Sequence, residues 1–311
     1  MKILITGAGG LVGRNLVECL QTTPHELLTP THGELDLLNR AAVQAYLKSN
    51  QPDCVIHLAA KVGSIAANVQ YPLQFLLENL DMGRNVIISA YENGVKKLIN
   101  IGSACVYPAE SGDNLLREDM ALTGSFEKEY IGYATAKAVA LSMCQCISSN
   151  NPQFLYKTLI PCSIYGRWCS FGADKSTMIA AAIKKIHRAK KDNLPCVQIW
   201  GDGTARRELI YAGDLAKIIS VAAENLETIP PVLNVGTGID YAVNDCYEII
   251  AKILGYEGEF VHDLSKPSGT SRRLLDVKLM HKVELFAESS LEQGIRETID
   301  YYQTHVLKEG R

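Results

Sequence analysis

The chain has no surplus of positive charge: 31 Lys and Arg stand against 34 Asp and Glu, a formal net charge of −3. That excludes the basic footprint of a nucleic-acid binder and the polybasic patch of a membrane-surface protein. It also lacks any run of about eighteen apolar residues, so no membrane-spanning helix is expected. The opening MKILITGAGG passes from a short apolar segment straight into glycines, without the apolar core and cleavage site of a secretory leader. Histidine is scarce, at 7 residues, and the 9 cysteines form no CxxC pair beside histidines, so no metal site is expected. An odd number of scattered thiols fits a reducing, cytoplasmic setting in which most cysteines are small buried hydrophobes. No low-complexity linker and no internal repeat interrupts the chain.

What the chain does have is a regular alternation. KILIT, ELLTP, CVIHLAA, KLINIGS and FLYKTLIP read as strands, and longer helical segments such as LVGRNLVECLQ, PLQFLLENLDMGRNVIISAYEN and YATAKAVALSMCQCIS separate them. Strands alternating with helices of this length imply an α/β fold, a Rossmann-type doubly wound parallel sheet. After Pro161 the pattern loosens into shorter strands between helices. Residues 1–165 are therefore expected to form a dinucleotide-binding domain and residues 166–311 mainly a smaller α/β substrate lobe, with some later segments returning to the first domain.

The first strand runs into Gly7-Ala-Gly-Gly10-Leu11-Val12-Gly13 and then a helix. Glycines at this spacing allow a tight turn and bring a pyrophosphate against free helix N–H groups, which identifies a dinucleotide site. The second strand ends in Leu28-Thr29-Pro30-Thr31-His32 with no acid before Glu34. The carboxylate that would hold the ribose hydroxyls of NAD is thus missing, and Arg14 is available for a 2′-phosphate, so NADP(H) is the expected cofactor.

Tyr133 and Lys137 form a Y-x-x-x-K on a helix, which places both on one face. A lysine ammonium beside a phenol lowers its pKa and lets it exchange a proton with a carbonyl oxygen. Ser103, at the end of the preceding strand in INIGSACVYP, can bond the same oxygen. Cys105 lies two residues on and reads either as a strand-end packing residue or as a base aimed at a substrate. His57 ends an apolar strand and reads as a core histidine.

With Ser103, Tyr133 and Lys137 placed, the chain resembles the extended short-chain dehydrogenases/reductases that act on nucleotide sugars. More narrowly it resembles the GDP-L-fucose synthase family, through HLAAKVGSIAANVQYP, GSACVYP, GYATAKA, IPCSIYG, WGDGTARRELIY, LNVGTG and SKPSGTSRRLLDV. The resemblance implies a homodimeric, NADPH-dependent enzyme for a GDP-sugar, with Ala59, Ala60 and Asn79 on the cofactor side. It puts Cys105 at the family's epimerisation base and Arg207, Trp200 and Lys185 at the GDP. Arg272 or Arg273 is a further candidate phosphate contact. Departures stand beside these matches: Thr177 occupies the place of the family's acid histidine, in Lys175-Ser-Thr177-Met-Ile-Ala180, and Ser163 and Ala180 replace an asparagine and a proline. The expected reaction is reduction of the 4-keto group of a GDP-4-keto-6-deoxy sugar without secure epimerase activity. A full fucose synthase, a heptose 4-reductase and a non-catalytic NADP(H) sensor are the alternatives.

Overall fold

The computed structural model describes residues 1–110, 112, 114–172, 176–266 and 270–309. The chain begins with β1 (Lys2–Thr6), α1 (Leu11–Leu20), β2 (Glu26–Leu28), α2 (Arg40–Asn50), β3 (Cys54–His57), α3 (Ile65–Gln70), α4 (Pro72–Glu92) and β4 (Lys97–Ile101). It continues through α5 (Ile131–Asn150), β5 (Leu155–Pro161), β6 (Ser163–Tyr165), α6 (Met178–Lys191), β7 (Cys196–Trp200), β8 (Arg206–Tyr211), α7 (Ala212–Glu224) and β9 (Val232–Val235). Then come β10 (Asp240–Ala242), α8 (Val243–Leu254), β11 (Glu259–Asp263), β12 (Arg272–Arg273), α9 (Lys278–Lys282) and α10 (Leu291–Tyr301), which runs on into a short helical tail.

Six strands form one parallel sheet in the order β2-β1-β3-β4-β5-β9. Its central strands are mostly apolar and buried because both faces are covered. On one face Leu16 and Leu20 of α1 and Leu215 and Ile219 of α7 share a core with Ile3, Ile5 and Ile99. On the other, Val43 and Leu47 of α2, Val86 and Ile87 of α4 and Ala140 and Cys144 of α5 pack on Leu4, Val55 and Leu98. The stretch CVIHLAA reads as a single strand, but ladder pairing ends at His57, and residues 58–60 turn out to line a cleft. A parallel sheet collects its loops at the carboxyl edge, where crevices form at the switch in strand order.

The chain after β5 builds a second core. β8 is central there, with β10 antiparallel and β6 and β12 parallel to it. Ile183 and Ile186 of α6, Ile250 of α8 and Ile295 of α10 bury together beside Val197 of β7. VLNV, as β9, closes the large sheet by pairing with β5.

α4 and α5 meet closely at their starts, since a Cβ placed on Gly132 would lie 2.2 Å from the carbonyl oxygen of Pro72. Gly132→Ala is expected to push the helices apart, at a cost of about 1–3 kcal/mol for overpacking. Thermal unfolding checks this, and an unchanged Tm would show that the helix pair yields.

Candidate functional site

The glycine turn is shaped by two near-contacts of backbone. Gly7 has φ +74°, and a Cβ there would lie 2.7 Å from the amide nitrogen of Ala59. A Cβ on Gly13 would lie 2.2 Å from the oxygen of Gly7. Only glycine lets β1, the first turn of α1 and the end of β3 come together so. The result is a cleft of about 840 Å³ along the carboxyl edge. Gly7, Gly10, Leu11, Val12 and Gly13 line one wall and Ala59 and Ala60 the next; the cleft then reaches Ser103, Tyr133 and Lys137. Its length, its glycine floor and its N-terminal helix turn suit a dinucleotide. Asn79 is buried behind it, where its side chain accepts from the Lys61 amide at 2.8 Å and donates to the Lys61 carbonyl at 3.0 Å. It thereby fixes the loop whose Lys61 pairs with Glu78 at 2.9 Å.

A smaller cavity of about 270 Å³ opens from the same point. Ser103, Tyr133, Pro161, Cys162 and Ser163 line both spaces, so the serine–tyrosine pair stands at their junction. Lys137 is buried, and its ammonium donates to the Ile101 carbonyl at 2.7 Å. Desolvation pulls its pKa down to about 8, so it stays mostly charged at neutral pH. Burial pushes the Tyr133 phenol well up, with the Ser103 hydroxyl bonding it in the opposing direction. The Lys137 ammonium, 5.8 Å from the ring centroid, is not among the groups that lower it in this state, and the phenol keeps its proton.

Cys105 follows Ser103 in a short 3₁₀ turn, Ala104–Val106, and lines the smaller cavity. Burial pushes its thiol up to about 11; the Ser103 hydroxyl, Lys137 and Arg273 lower it by less. At neutral pH it is a thiol and a weak base. Thr177 precedes α6 and lines the larger cleft, where its hydroxyl offers no titratable proton. His187 lines neither space and packs edge-on against Tyr302, with ring centroids 5.3 Å apart. Among the described residues no histidine lines the smaller cavity. Lys175 and residues 267–269 of the SKPSGTSRRLLDV stretch lie outside the described residues.

The other expected residues separate. Arg207 lines the smaller cavity beside Arg273. Arg273 also donates to the Ala104 carbonyl at 3.1 Å and to Glu127 at 2.7 Å, whereas Arg272 pairs with Asp240 at 2.5 Å. The choice between the two arginines therefore falls on Arg273. Trp200 is 51% exposed, so it is not core; it stands with Lys185 (Nζ 5.4 Å from the ring centroid) outside both cavities. Arg14 does not line the cleft. Its guanidinium lies 4.5 Å from the Trp168 ring centroid and donates to the Gly9 carbonyl. Glu127 and Tyr130 join the cavity wall without any sequence signal, because their stretch carries no motif; Thr270, inside SKPSGTSRRLLDV but not singled out there, meets Glu127 only through the fold, at 2.6 Å.

His57 is buried against the Thr6 hydroxyl, 2.8 Å away, and desolvation lowers its pKa to about 3. It is a neutral core histidine, as its place in the strand implies. Unfolded it would take a proton near pH 6.5, so its neutral burial supports the fold fully above that value. The support is lost as pH falls from 6.5 towards 3, by up to about 1.4 kcal/mol per pH unit. His57→Asn is expected to flatten that part of the stability profile measured by denaturant unfolding. The thiol carries a second expectation. Iodoacetamide should alkylate Cys105 far more slowly at pH 7.5 than the exposed Cys146 and Cys196, with a rate rising about tenfold per pH unit. Peptide mapping by mass spectrometry reads both, and rapid labelling of Cys105 at neutral pH would reveal an activated thiolate.

Known proteins share this sequence pattern and fold. Residues 3–236 match the NAD dependent epimerase/dehydratase family. A GDP-L-colitose synthase of Yersinia pseudotuberculosis is 45% identical over 302 residues, 97% of this chain and 98% of that one. A GDP-L-fucose synthase of Azorhizobium caulinodans is 44% identical over 303 residues, 97% of this chain and 96% of that one. Among solved structures, a GDP-mannoheptose C4 reductase from Campylobacter jejuni with NADP bound superposes with a TM-score of 0.88 at 30% identity. It covers 97% of this chain and 98% of that one.

Proposed function

The chain belongs to the NAD dependent epimerase/dehydratase family, and on that premise we propose that it is an NADPH-dependent reductase of the 4-keto group of a GDP-linked 4-keto-6-deoxy sugar. The observation that carries the reading is the position of Ser103 and Tyr133, shared by a dinucleotide-sized cleft and a sugar-sized cavity. When bound, the reduced dinucleotide supplies a hydride to the sugar carbonyl carbon. Ser103 and Tyr133 hold the carbonyl oxygen, and the Tyr133 phenol gives it a proton as negative charge develops there. Reduction needs the phenol in its acid form, and burial supplies that form. The Lys137 ammonium, held by the Ile101 carbonyl, stabilises the phenolate left behind. Arg207 supplies positive charge for the diphosphate, through a fork suited to two oxygens, while Arg273 beside it holds Glu127 and the Ala104 carbonyl.

Epimerisation before reduction needs a base and an acid on opposite sides of the sugar. The Cys105 thiol has a raised pKa, and Thr177 stands where the acid is expected, which supports a plain reductase. The second reading, a synthase that also epimerises, is favoured by the setting of Cys105, which lines the same cavity as Tyr133 beside Ser103, and by the relatives named as synthases. Division of the chain at residue 165 into cofactor and substrate lobes, a cytoplasmic location and a homodimer belong to the same proposal. Leu73, Leu77 and Ile131, exposed on α4 and the start of α5, support the pairing.

Incubation with GDP-4-keto-6-deoxy-mannose and NADPH in deuterated water, read by NMR, tests both readings. Reduced product unlabelled at C3 and C5 is the expected outcome; deuterium at either carbon would establish the synthase. Tyr133→Phe is expected to lower kcat by about a hundred- to ten-thousand-fold with little change in NADPH binding. Absence of any reduction by the wild-type protein would overturn the proposal.

A further inference from the structure

Three side chains of the smaller cavity stand in one row: Glu127, Tyr130 and Tyr133, spaced by three along the chain. A 3₁₀ turn, Lys128–Tyr130, is closed by the Tyr130 amide donating to the Glu127 carbonyl at 3.0 Å, which brings Tyr130 over Glu127. The first turn of α5 then sets Tyr133 on the same side as Tyr130. Reduction uses Tyr133; the other two carry polar atoms that the fold does not use. The Thr270 hydroxyl and the Arg273 Nε and Nη2 all converge on one Glu127 oxygen, Oε1, at 2.6, 3.0 and 2.7 Å. Among the described residues nothing bonds Oε2 or the Tyr130 hydroxyl, and neither atom is sealed within the protein. Both side chains line the cavity, so these atoms open onto it. Burial would raise the Glu127 carboxyl, but Arg273, Thr270 and Arg207 hold it below its ordinary value; burial pushes the Tyr130 phenol up to about 12. At neutral pH the row offers a charged acceptor and a protonated donor.

We propose that Tyr130 and Glu127 determine which sugar is accepted by reading its ring hydroxyls, Tyr130 meeting the one on C3 and Glu127 the one on C2. The inference rests on the 4-keto reductase reading above. In that reading Tyr133 holds the C4 oxygen and Arg207 the diphosphate on C1, so the ring spans the space between them. Glu127 and Tyr130 are neighbours of Arg207 in the same wall, which puts the row along that span. Two edges of a pyranose ring join C4 to C1. One runs through C5, which bears a methyl group in a 6-deoxy sugar, and the ring oxygen. The other runs through C3 and C2, the ring carbons that still carry hydroxyls. A carboxylate and a phenol facing the methyl edge would lose water and gain no partner. Facing the hydroxyl edge, each finds one. Tyr130 is nearer to Tyr133 in the row and so matches C3, beside the keto carbon; Glu127, at the far end, matches C2. Arg273 and Thr270 fix the carboxylate before substrate arrives, so little ordering is left for binding to oppose.

The test is steady-state reduction by NADPH of GDP-4-keto-6-deoxy-mannose and of its 3-deoxy and 2-deoxy analogues, in wild type, Tyr130→Phe and Glu127→Gln. Wild type is expected to lose at least about tenfold in kcat/KM on each analogue, because a polar group built to meet a hydroxyl is left unpaired. Y130F removes one oxygen atom and is expected to lose about tenfold on the full sugar, chiefly in KM, and nothing further on the 3-deoxy analogue. E127Q keeps an oxygen for Arg273 and Thr270 but replaces the open acceptor; it is expected to lose about ten- to a hundredfold on the full sugar and nothing further on the 2-deoxy analogue. Side chains that only prop the cavity would lower all three substrates alike. Equal losses on the full sugar and its analogues, or a Y130F enzyme that matches wild type on the full sugar, would overturn the assignment. Reduction of none of the three by wild type would overturn the 4-keto reductase reading and this inference with it.

Discussion

The hydrogen bond from the Lys137 ammonium to the Ile101 carbonyl ties α5 to the last residue of β4, and the chemical site is arranged around it. Ser103 follows Ile101 by two residues, and Tyr133 precedes Lys137 by about one helical turn. One charge-assisted contact therefore sets the distance between a strand-end hydroxyl and a helix-borne phenol. It also gives a buried cation a partner at the end of the strand. Gly132, one residue before Tyr133, lets the start of α5 lie against Pro72, and that close packing keeps the phenol from drifting.

Burial makes the site's acids and bases what they are. It keeps Tyr133 protonated, Cys105 a thiol and His57 neutral, and it brings Lys137 close to neutrality without discharging it. These directions suit the donation of a proton to an oxygen that gains negative charge. They do not favour proton abstraction from carbon, which needs an ionised base at rest. The same burial leaves Cys105 a thiol packed beside Ser103.

A second network, remote in sequence, shapes the smaller cavity. Glu127 accepts from Arg273 and Thr270, and Arg273 reaches on to the Ala104 carbonyl in the turn that carries Cys105. Glu208, on β8, accepts the amides of Thr237, Gly238 and Leu275 and so binds β8 to the two segments beside it. Burial raises its carboxyl to about 7 against those three donors. Loops from both halves of the chain thus converge on one small cavity, where Arg207 and Arg273 share the wall with Glu127 and Glu208.

What could be read from the chain before its fold was known follows from the range of each interaction. The α/β alternation, the glycine turn and the meeting of Ser103, Tyr133 and Lys137 at one cleft were all legible there. They rest on local periodicity and on backbone geometry that only glycine permits. Which of Arg272 and Arg273 faces the cavity was not legible, since one spends its charge on Asp240 and the other on Glu127. Nor was the stacking of Arg14 on Trp168, the meeting of Glu127 with Thr270, or the burial that keeps Cys105 from ionising readily. The folded chain settled those through contacts between distant residues and through desolvation, and neither is written in the spacing of neighbouring residues.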